Sequence, residues 1–342
     1  AFGSTGTVTD SYWDTESSGE GSSVGGTGLT TAQMTGTDAL SNGNMDALSG
    51  SVWTANADTA DERRYPTLDA NPQSPPPAQH LYDGGDGSAS SPYQIATWTH
   101  LDNVRQNLDA NFTLVDDLNA STAGYDTVAN ASANSGTGFE PLGDQNTRFA
   151  GSFDGAGYII ANLTIDDVQG DNAGLFGHIG DGSVSNVSLK NTNISVAEEI
   201  AGGLAGTNAG TISESSVTGN ITSTGINPTG GLVGDNDGTV TGSTANTDVA
   251  GQFVGGLVGV NDGTITDSSA MGATRGSDLY AGGLVGRNAH EIKRSFASGP
   301  VSSSAFSVGG LVGEKSKSAT VRNTYATGNT LGSGGTTDVG GL

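Results

Sequence analysis

The chain contains no cysteine. Disulfides, thiolate metal sites and cysteine nucleophiles are therefore excluded, although secretion is not. No run of about eighteen apolar residues occurs, so no segment reads as a membrane-crossing helix. Bases are scarce, with 12 Lys and Arg against 36 Asp and Glu and a net charge of -24. The lysines are Lys190, Lys293, Lys315 and Lys317. Such a chain repels nucleic acid, which is excluded as a partner. Concentrated salt screens the self-repulsion. Low Lys beside abundant Asp reads as a halophilic protein from a hypersaline habitat; an ordinary acidic secreted protein is the alternative. Apolar residues make up only 33% of the 342 residues, less than a globular enzyme of this length normally carries. The opening Ala1-Phe2-Gly3-Ser4 has neither the basic region nor the apolar segment of a signal peptide.

What the chain has instead is glycine, 56 residues of it, in a regular pattern. A Gly-Leu-x-Gly unit, usually preceded by another Gly, recurs around Leu175, Leu204, Leu232, Leu257, Leu284 and Leu311, and begins again at Leu342. The Leu-to-Leu spacings are 29, 28, 25, 27, 27 and 31. A β-branched residue follows each complete unit after a polar corner: Val184, Ile212, Val240, Ile265, Ile292 and Val321. A third short segment with small residues comes next, as in Ser216-Val217-Thr218-Gly219. Such a unit is too short to bury a core alone, but stacked units place Leu on Leu and Ile or Val on its counterpart. The pattern predicts an all-β fold, a parallel β-helix or β-solenoid with coils of about 25–31 residues, each made of two or three short strands. No Pro interrupts residues 229–299, in keeping with paired strands.

These units resemble the GLUG-motif repeats of bacterial and archaeal surface and secreted proteins. The segment ahead of the first coil is similar to the capping segment of such proteins. It carries Pro92-Tyr93-Gln94-Ile95, Phe139-Glu140-Pro141-Leu142-Gly143 and the run Phe149, Gly151, Phe153, Gly155, Tyr158, Ile160. The resemblance implies a solenoid and secretion. It implies function poorly, since such repeats occur in adhesins, filaments and carbohydrate-active proteins.

Four regions follow. Residues 1–70 resemble a solenoid-terminating module of such proteins, through Ser11-Tyr12-Trp13-Asp14-Thr15, Gly26-Thr27-Gly28-Leu29-Thr30, Ser51-Val52-Trp53 and Tyr65-Pro66, with a core expected of Trp13, Met34, Met45, Leu48, Val52 and Trp53 and Tyr12 at its edge. Residues 71–91 form a Pro/Gly-rich linker. Residues 92–165 form the capping segment, with a small helix expected over Thr97–Leu108 in which Leu101, Val104 and Leu108 share a face and Trp98 and Tyr93 pack around it. Residues 166–342 are the repeat solenoid, open at its C-terminal end. The order places a terminator first. Joining Val339-Gly340-Gly341-Leu342 to Ala1 through Ser11 reproduces Val254 through Ser268, with the β-branched Val8 eight positions after Leu342. This phase predicts identical units joined head-to-tail through a Leu342/Ala1 junction, as separate subunits or as tandem copies. A boundary that merely cuts a longer chain is the alternative.

The search for chemistry yields little. Coil acids Asp235, Asp237, Asp262, Asp267 and Glu291 are candidates for a paired-carboxylate site or for solvated corners. Arg287 and Arg322 differ in coil position and build no substrate clamp. His80, His100, His178 and His290 are scattered without metal-ligand spacing. The residues Asp83 and Asp86, in Asp-Gly-Gly-Asp-Gly, form an oxygen cluster of the type that binds calcium; a solvated turn is the alternative. No catalytic residue, no other cofactor and no exposed aromatic ladder for sugar stacking is expected. N-x-S/T sequons occur at Asn111, Asn119, Asn130, Asn162, Asn186, Asn193 and Asn220, glycosylation candidates on a surface protein. The expectation is a non-enzymatic, extracellular, cell-surface fibre component that meets other units and, through adhesion, surface glycans or other cells. A carbohydrate-binding or polysaccharide-degrading protein and a passive envelope-layer protein are the alternatives.

Overall fold

The computed structural model describes residues 11–15, 26–35, 39–40, 44–45, 48, 53–54, 62–63, 66–68, 79–166, 172–332 and 338–340. It divides into two compact units, Ala1–Asp86 and Gly87–Leu342.

The second unit is a parallel β-solenoid. Each coil begins at the Gly-Leu-x-Gly signature, whose last two residues open a four-residue strand. Six such strands, from Phe176–Ile179 to Val312–Lys315, stack in one parallel sheet. A polar corner leads to a second sheet of nine strands, from Tyr93–Ile95 to Thr320–Arg322. The chain then turns onto a broad third sheet of 16 strands and returns to the next signature. The coils are in register: Leu204, Leu232, Leu257, Leu284 and Leu311 are fully buried, as are Val184, Ile212, Val240, Ile265 and Ile292. Burying each such side chain contributes about 1.5–3 kcal/mol, before conformational entropy is set against it. Pro228 opens its strand and Pro300 immediately precedes one, positions where a missing N–H is tolerated.

The signature itself is a sharp corner. A Cβ on Gly202 would lie 2.2 Å from the Ala205 carbonyl and 2.6 Å from the Gly234 nitrogen. A Cβ on Gly234 would lie 2.6 Å from Ile200 Cγ2. These two glycines face the outside from the two strands flanking the bend, and only hydrogen fits where the strands close on one another. The intervening Leu points into the coil. Outside the bend a crease therefore runs along the solenoid.

Two polar ladders run through the interior. Asn208, Asn236, Asn261 and Asn288 are completely buried; Nδ2 of each of the first three donates to the next Oδ1 at 2.7 Å, and Asn288 Nδ2 donates to the His290 carbonyl at 3.1 Å. At the next corner Ser243 and Ser268 accept from the backbone N–H one coil earlier at 3.2 Å while donating to the carbonyl two residues back. Both ladders satisfy buried corner groups by stacking, as buried polar groups require.

The capping segment closes the N-terminal end of this unit with aromatics. Phe112, Phe149, Phe153 and Phe176 are buried, with ring centroids 4.9 to 6.5 Å apart. The expected helix is shorter than the spacing predicts. An α-helix covers Trp98–Asn103, capped by Thr97, and a 3-10 turn covers Val104–Gln106. Asn107 leaves helical geometry, so Leu108 lies beyond the helix and is half-buried, while Leu101 and Val104 are buried as expected. Trp98 packs against Tyr125 and Phe139, and Tyr93 packs against Phe112.

In the first unit, Tyr12–Asp14 pairs in parallel with Thr27–Leu29, and a capping box of Thr30 and Gln33 starts the helix Thr31–Met34. Its buried cluster is Leu29, Met34, Ala39 and Met45, with Tyr12 and Leu48 packed against it. Trp13 and Trp53 are only half-buried and Val52 lies outside the described residues. Leu29 and Ala39 take the central places because the parallel strand and the capped helix bring them there.

Candidate functional site

The crease outside the signature is the most differentiated surface of the solenoid. One wall is the outward row Ile200, Pro228, Phe253 and Tyr280, set by strand register. The other is the outward row Thr207, Asp235, Val260, Arg287 and Glu314 on the signature sheet. Polar side chains cross between the walls: Thr207 Oγ1 donates to Asn172 Oδ1 at 3.3 Å, and Ser307 Oγ to the Gly313 carbonyl at 2.7 Å. Arg287 pairs with Glu314 at 3.2 Å.

At this crease Asp235, Asp237 and Asp262 come together, with one carboxylate oxygen from each lying within 4.8 Å of the others. They are the one such grouping of acids, His or Cys among the described residues. Asp235 is half-buried and its Oδ1 has no hydrogen-bond partner. Burial first, then the Asp237 and Asp262 charges, pushes its carboxyl from 3.8 up to about 6, against a smaller opposing pull from Arg287. A carboxyl raised toward neutrality beside two further acids is an arrangement that general acid–base chemistry uses, and three carboxylate oxygens are also hard donors for a divalent cation.

The other candidate acids are engaged elsewhere. Asp267 takes both Arg294 Nε and Nη2 at 2.7 Å, which holds its carboxyl below the usual range. Glu291 is bonded by Lys293 at 3.1 Å and Arg322 at 2.6 Å, and its carboxyl is also lowered, first by the Lys293 hydrogen bond. Arg287 and Arg322 lie on different sheets, so they form no shared clamp. Asp83 and Asp86 are exposed and belong to no grouping of three or more potential ligands among the described residues.

His178 is buried with neither ring nitrogen partnered; burial, then the Arg148 charge, pushes its pKa down. His100 Nδ1 accepts from the Ala96 N–H at 3.3 Å, and His290 is exposed at a corner. No side-chain position is described for His80.

The sequons divide by geometry. Asn111 sits in a strand with Nδ2 donating to the Gly87 carbonyl and Oδ1 accepting from Ser152. Asn130 Nδ2 donates to Asp126, while its Oδ1 accepts from Ser132 and Ala133 backbone N–H groups. Asn119 is half-buried with its Oδ1 in a local turn, and half-buried Asn162 holds a φ of 67°. Asn186 is exposed but bonded to Asp154. Asn193 and Asn220 are exposed, in register on adjacent rungs of the broad sheet.

External aromatics, not expected from the sequence, are present. Phe253 meets Tyr280 edge-on with centroids 5.1 Å apart, and Phe296 stacks on Tyr325 at 5.0 Å and 3°. Each pair is one coil apart at the same outward position. The aromatic count concealed this; the 27- and 29-residue separations within the pairs were the available signal.

Comparison with known proteins agrees with the fold. No family model matches the chain. A candidate Gly-rich membrane protein of Evansella cellulosilytica is 41% identical over 133 residues, covering 37% of this chain and 14% of that protein. Halomucin of Haloquadratum walsbyi is 35% identical over 131 residues, covering 36% of this chain and 1% of that protein. The chain thus matches a small part of each relative. The crystal structure of a candidate immunoglobulin A1 protease from Bacteroides ovatus superposes with a TM-score of 0.57 at 21% identity, over 76% of this chain and 87% of that one. At that identity the likeness establishes the fold alone.

Proposed function

We propose that this chain is a structural, adhesive unit of an extracellular surface fibre, built head-to-tail from β-solenoid units, without enzymatic activity. The observation that carries this reading is the stack itself: coil after coil pairs in parallel and in register on three sheets, with the same residue types buried at each rung. Such a stack is an elongated scaffold that grows by repeating one unit. The two named relatives support a surface setting, and the acidic surface suits concentrated salt. Exposed Asn193 and Asn220 suit glycosylation of such a surface.

Electron microscopy of the purified chain in high salt, with the mass of the denatured chain, tests this. Filaments in which the solenoid unit recurs end to end are expected. Isolated particles at all concentrations and salt levels would overturn the fibre reading.

A second reading rests on the crease. Asp235, Asp237 and Asp262 beside an apolar and aromatic wall offer a polysaccharide both carboxyl chemistry and a sugar-facing surface. Turnover of neutral polysaccharides that disappears in Asp235→Asn would favour it.

A further inference from the structure

The capping segment and the first coil enclose a cleft of about 900 Å³, within the size range of small-molecule sites. Residues within 134–137 and 140–147 line it from the capping segment, and Asn172 lines it from the first coil. Most of the capping residues are exposed, whereas Asn172 is 6% exposed, the one buried residue among the described residues of the lining. Asn172 also begins the crease wall that continues into Ile200, two coils ahead of Asp235. The cleft is thus separate from the acid grouping.

The Asn172 amide is half satisfied. Its Oδ1 accepts from Thr207 Oγ1 at 3.3 Å, while its Nδ2 has no partner. A buried donor without an acceptor is costly, so this N–H calls for an acceptor from a ligand. The charged groups of the cleft are already committed. Arg105 Nη1 donates to the Pro141 carbonyl at 2.8 Å and to the Glu140 carbonyl, and its Nη2 donates to Asp102. Asp144 Oδ1 accepts from the backbone N–H groups of Asn146 and Thr147 at 2.7 Å. An anionic ligand therefore meets no free cation, and a cationic one meets only the exposed carboxylates of Glu140 and Asp144. The rest of the lining is neutral: amides and hydroxyls, with Leu108 and Pro141 as apolar patches.

We propose that this cleft binds a neutral saccharide, one of whose oxygens accepts from Asn172 Nδ2. Sugar hydroxyls both donate and accept, which matches a lining of amides and hydroxyls. The carbon-bound hydrogens of the ring suit Leu108 and Pro141. The site binds without turnover, since it makes no use of the crease acids. It stands independently of the fibre reading, because filaments and saccharide binding can each occur without the other.

Calorimetric titration of the full chain with neutral trisaccharides of glucose, mannose, galactose and N-acetylglucosamine tests this, beside trimers of galacturonic acid and of glucosamine as charged counterparts. Saturable binding of at least one neutral trimer, tighter than either charged one, is expected. Asn172→Asp keeps the acceptor for Thr207 and turns the free donor into an acceptor, so it should weaken binding about tenfold or more. Gln145→Trp, at an exposed position of the lining, should fill the cleft and block binding whether or not the first variant folds. Circular dichroism of each variant checks that the solenoid persists. No saturable binding of any neutral trimer at roughly 10 mM would overturn the proposal. So would preference for a charged trimer, or undiminished binding in either folded variant. Binding kept in Gln145→Trp but lost in Asp235→Asn would move the sugar to the crease, overturning this site and supporting the second reading of function instead.

Discussion

Asn236 Nδ2 donates to Asn261 Oδ1 at 2.7 Å, and both side chains are completely shielded from solvent. Asn261 passes the same bond on to Asn288 and also donates to the Gly263 carbonyl at 3.0 Å. Each amide therefore serves two neighbours and its own corner. Replacing Asn261 by Ala leaves the Asn236 donor and the Asn288 acceptor short of a partner at once. With about 1–3 kcal/mol for each buried group left unsatisfied, Asn261→Ala is expected to cost about 3 kcal/mol. Asn288→Ala, which disrupts one ladder bond instead of two, should cost less. Urea unfolding of both variants measures the difference; equal losses would mean that the ladder is not cooperative.

Crowding at the signature bend gives a second prediction. A Cβ on Gly282 would sit 1.9 Å from the Val285 carbonyl and 2.7 Å from the Gly313 nitrogen, both backbone atoms that no side-chain rotation can move. Gly282→Ala should exceed the roughly 1–3 kcal/mol of ordinary overpacking. Ser302→Ala, at an exposed position of the neighbouring coil, should stay within about 0.5 kcal/mol. A Gly282→Ala protein with an unchanged midpoint would show that the corner opens without penalty.

The repeat made much of this fold readable. A period near 27 residues with Leu and β-branched landmarks specifies a stacked solenoid whatever the polar residues do, so the coil count and buried ladders follow from spacing. The bend was readable as a glycine corner, but not its direction, because an outward Gly and an inward Gly look alike until a Cβ is placed on each. Asn208, Asn236, Asn261 and Asn288 recur in phase, yet polar corner residues ordinarily face solvent, and only stacking at constant register turns them inward. The acid grouping was half legible. Asp235, Asp237, Asp262, Asp267 and Glu291 stand out together in the coils. Arg294, one coil on, takes Asp267, and Lys293 and Arg322 take Glu291, leaving three acids at the crease.

The corner before the broad sheet gives a third prediction. Asn186, Glu214, Gly242, Asp267, Arg294 and Asn323 occupy it in successive coils, all with φ between 45° and 59°. This left-handed conformation suits Gly and Asn and strains most other residues by about 1–2 kcal/mol. Glu214 is exposed, and its side chain gives no reason for the strain. Glu214→Asn is expected to stabilise the solenoid by up to about 1 kcal/mol, read as a raised melting temperature. A lowered one would mean that Glu214 makes a compensating interaction.

Asp235 gives the last prediction, through pH. Its carboxyl is pushed up to about 6 in the folded chain, above the 3.8 of an unperturbed group. Folding therefore favours its protonated form. The corresponding stability is fully present below about pH 3.8 and is lost as pH rises through 6. Asp267 and Glu291 act in the opposite sense: their lowered carboxyls favour the folded chain above the usual carboxylate range, and that contribution is lost on acidification. The Asp235 effect is thus best isolated as a difference between proteins. Asp235→Asn keeps the shape and removes the titration. Allowing for solvent screening of a half-buried group, it should be about 1–2 kcal/mol more stable than the parent at pH 7.5, with the gain vanishing near pH 4. Paired urea titrations across that range would measure it. A constant offset at every pH would show that the ionised carboxylate is not what strains the crease.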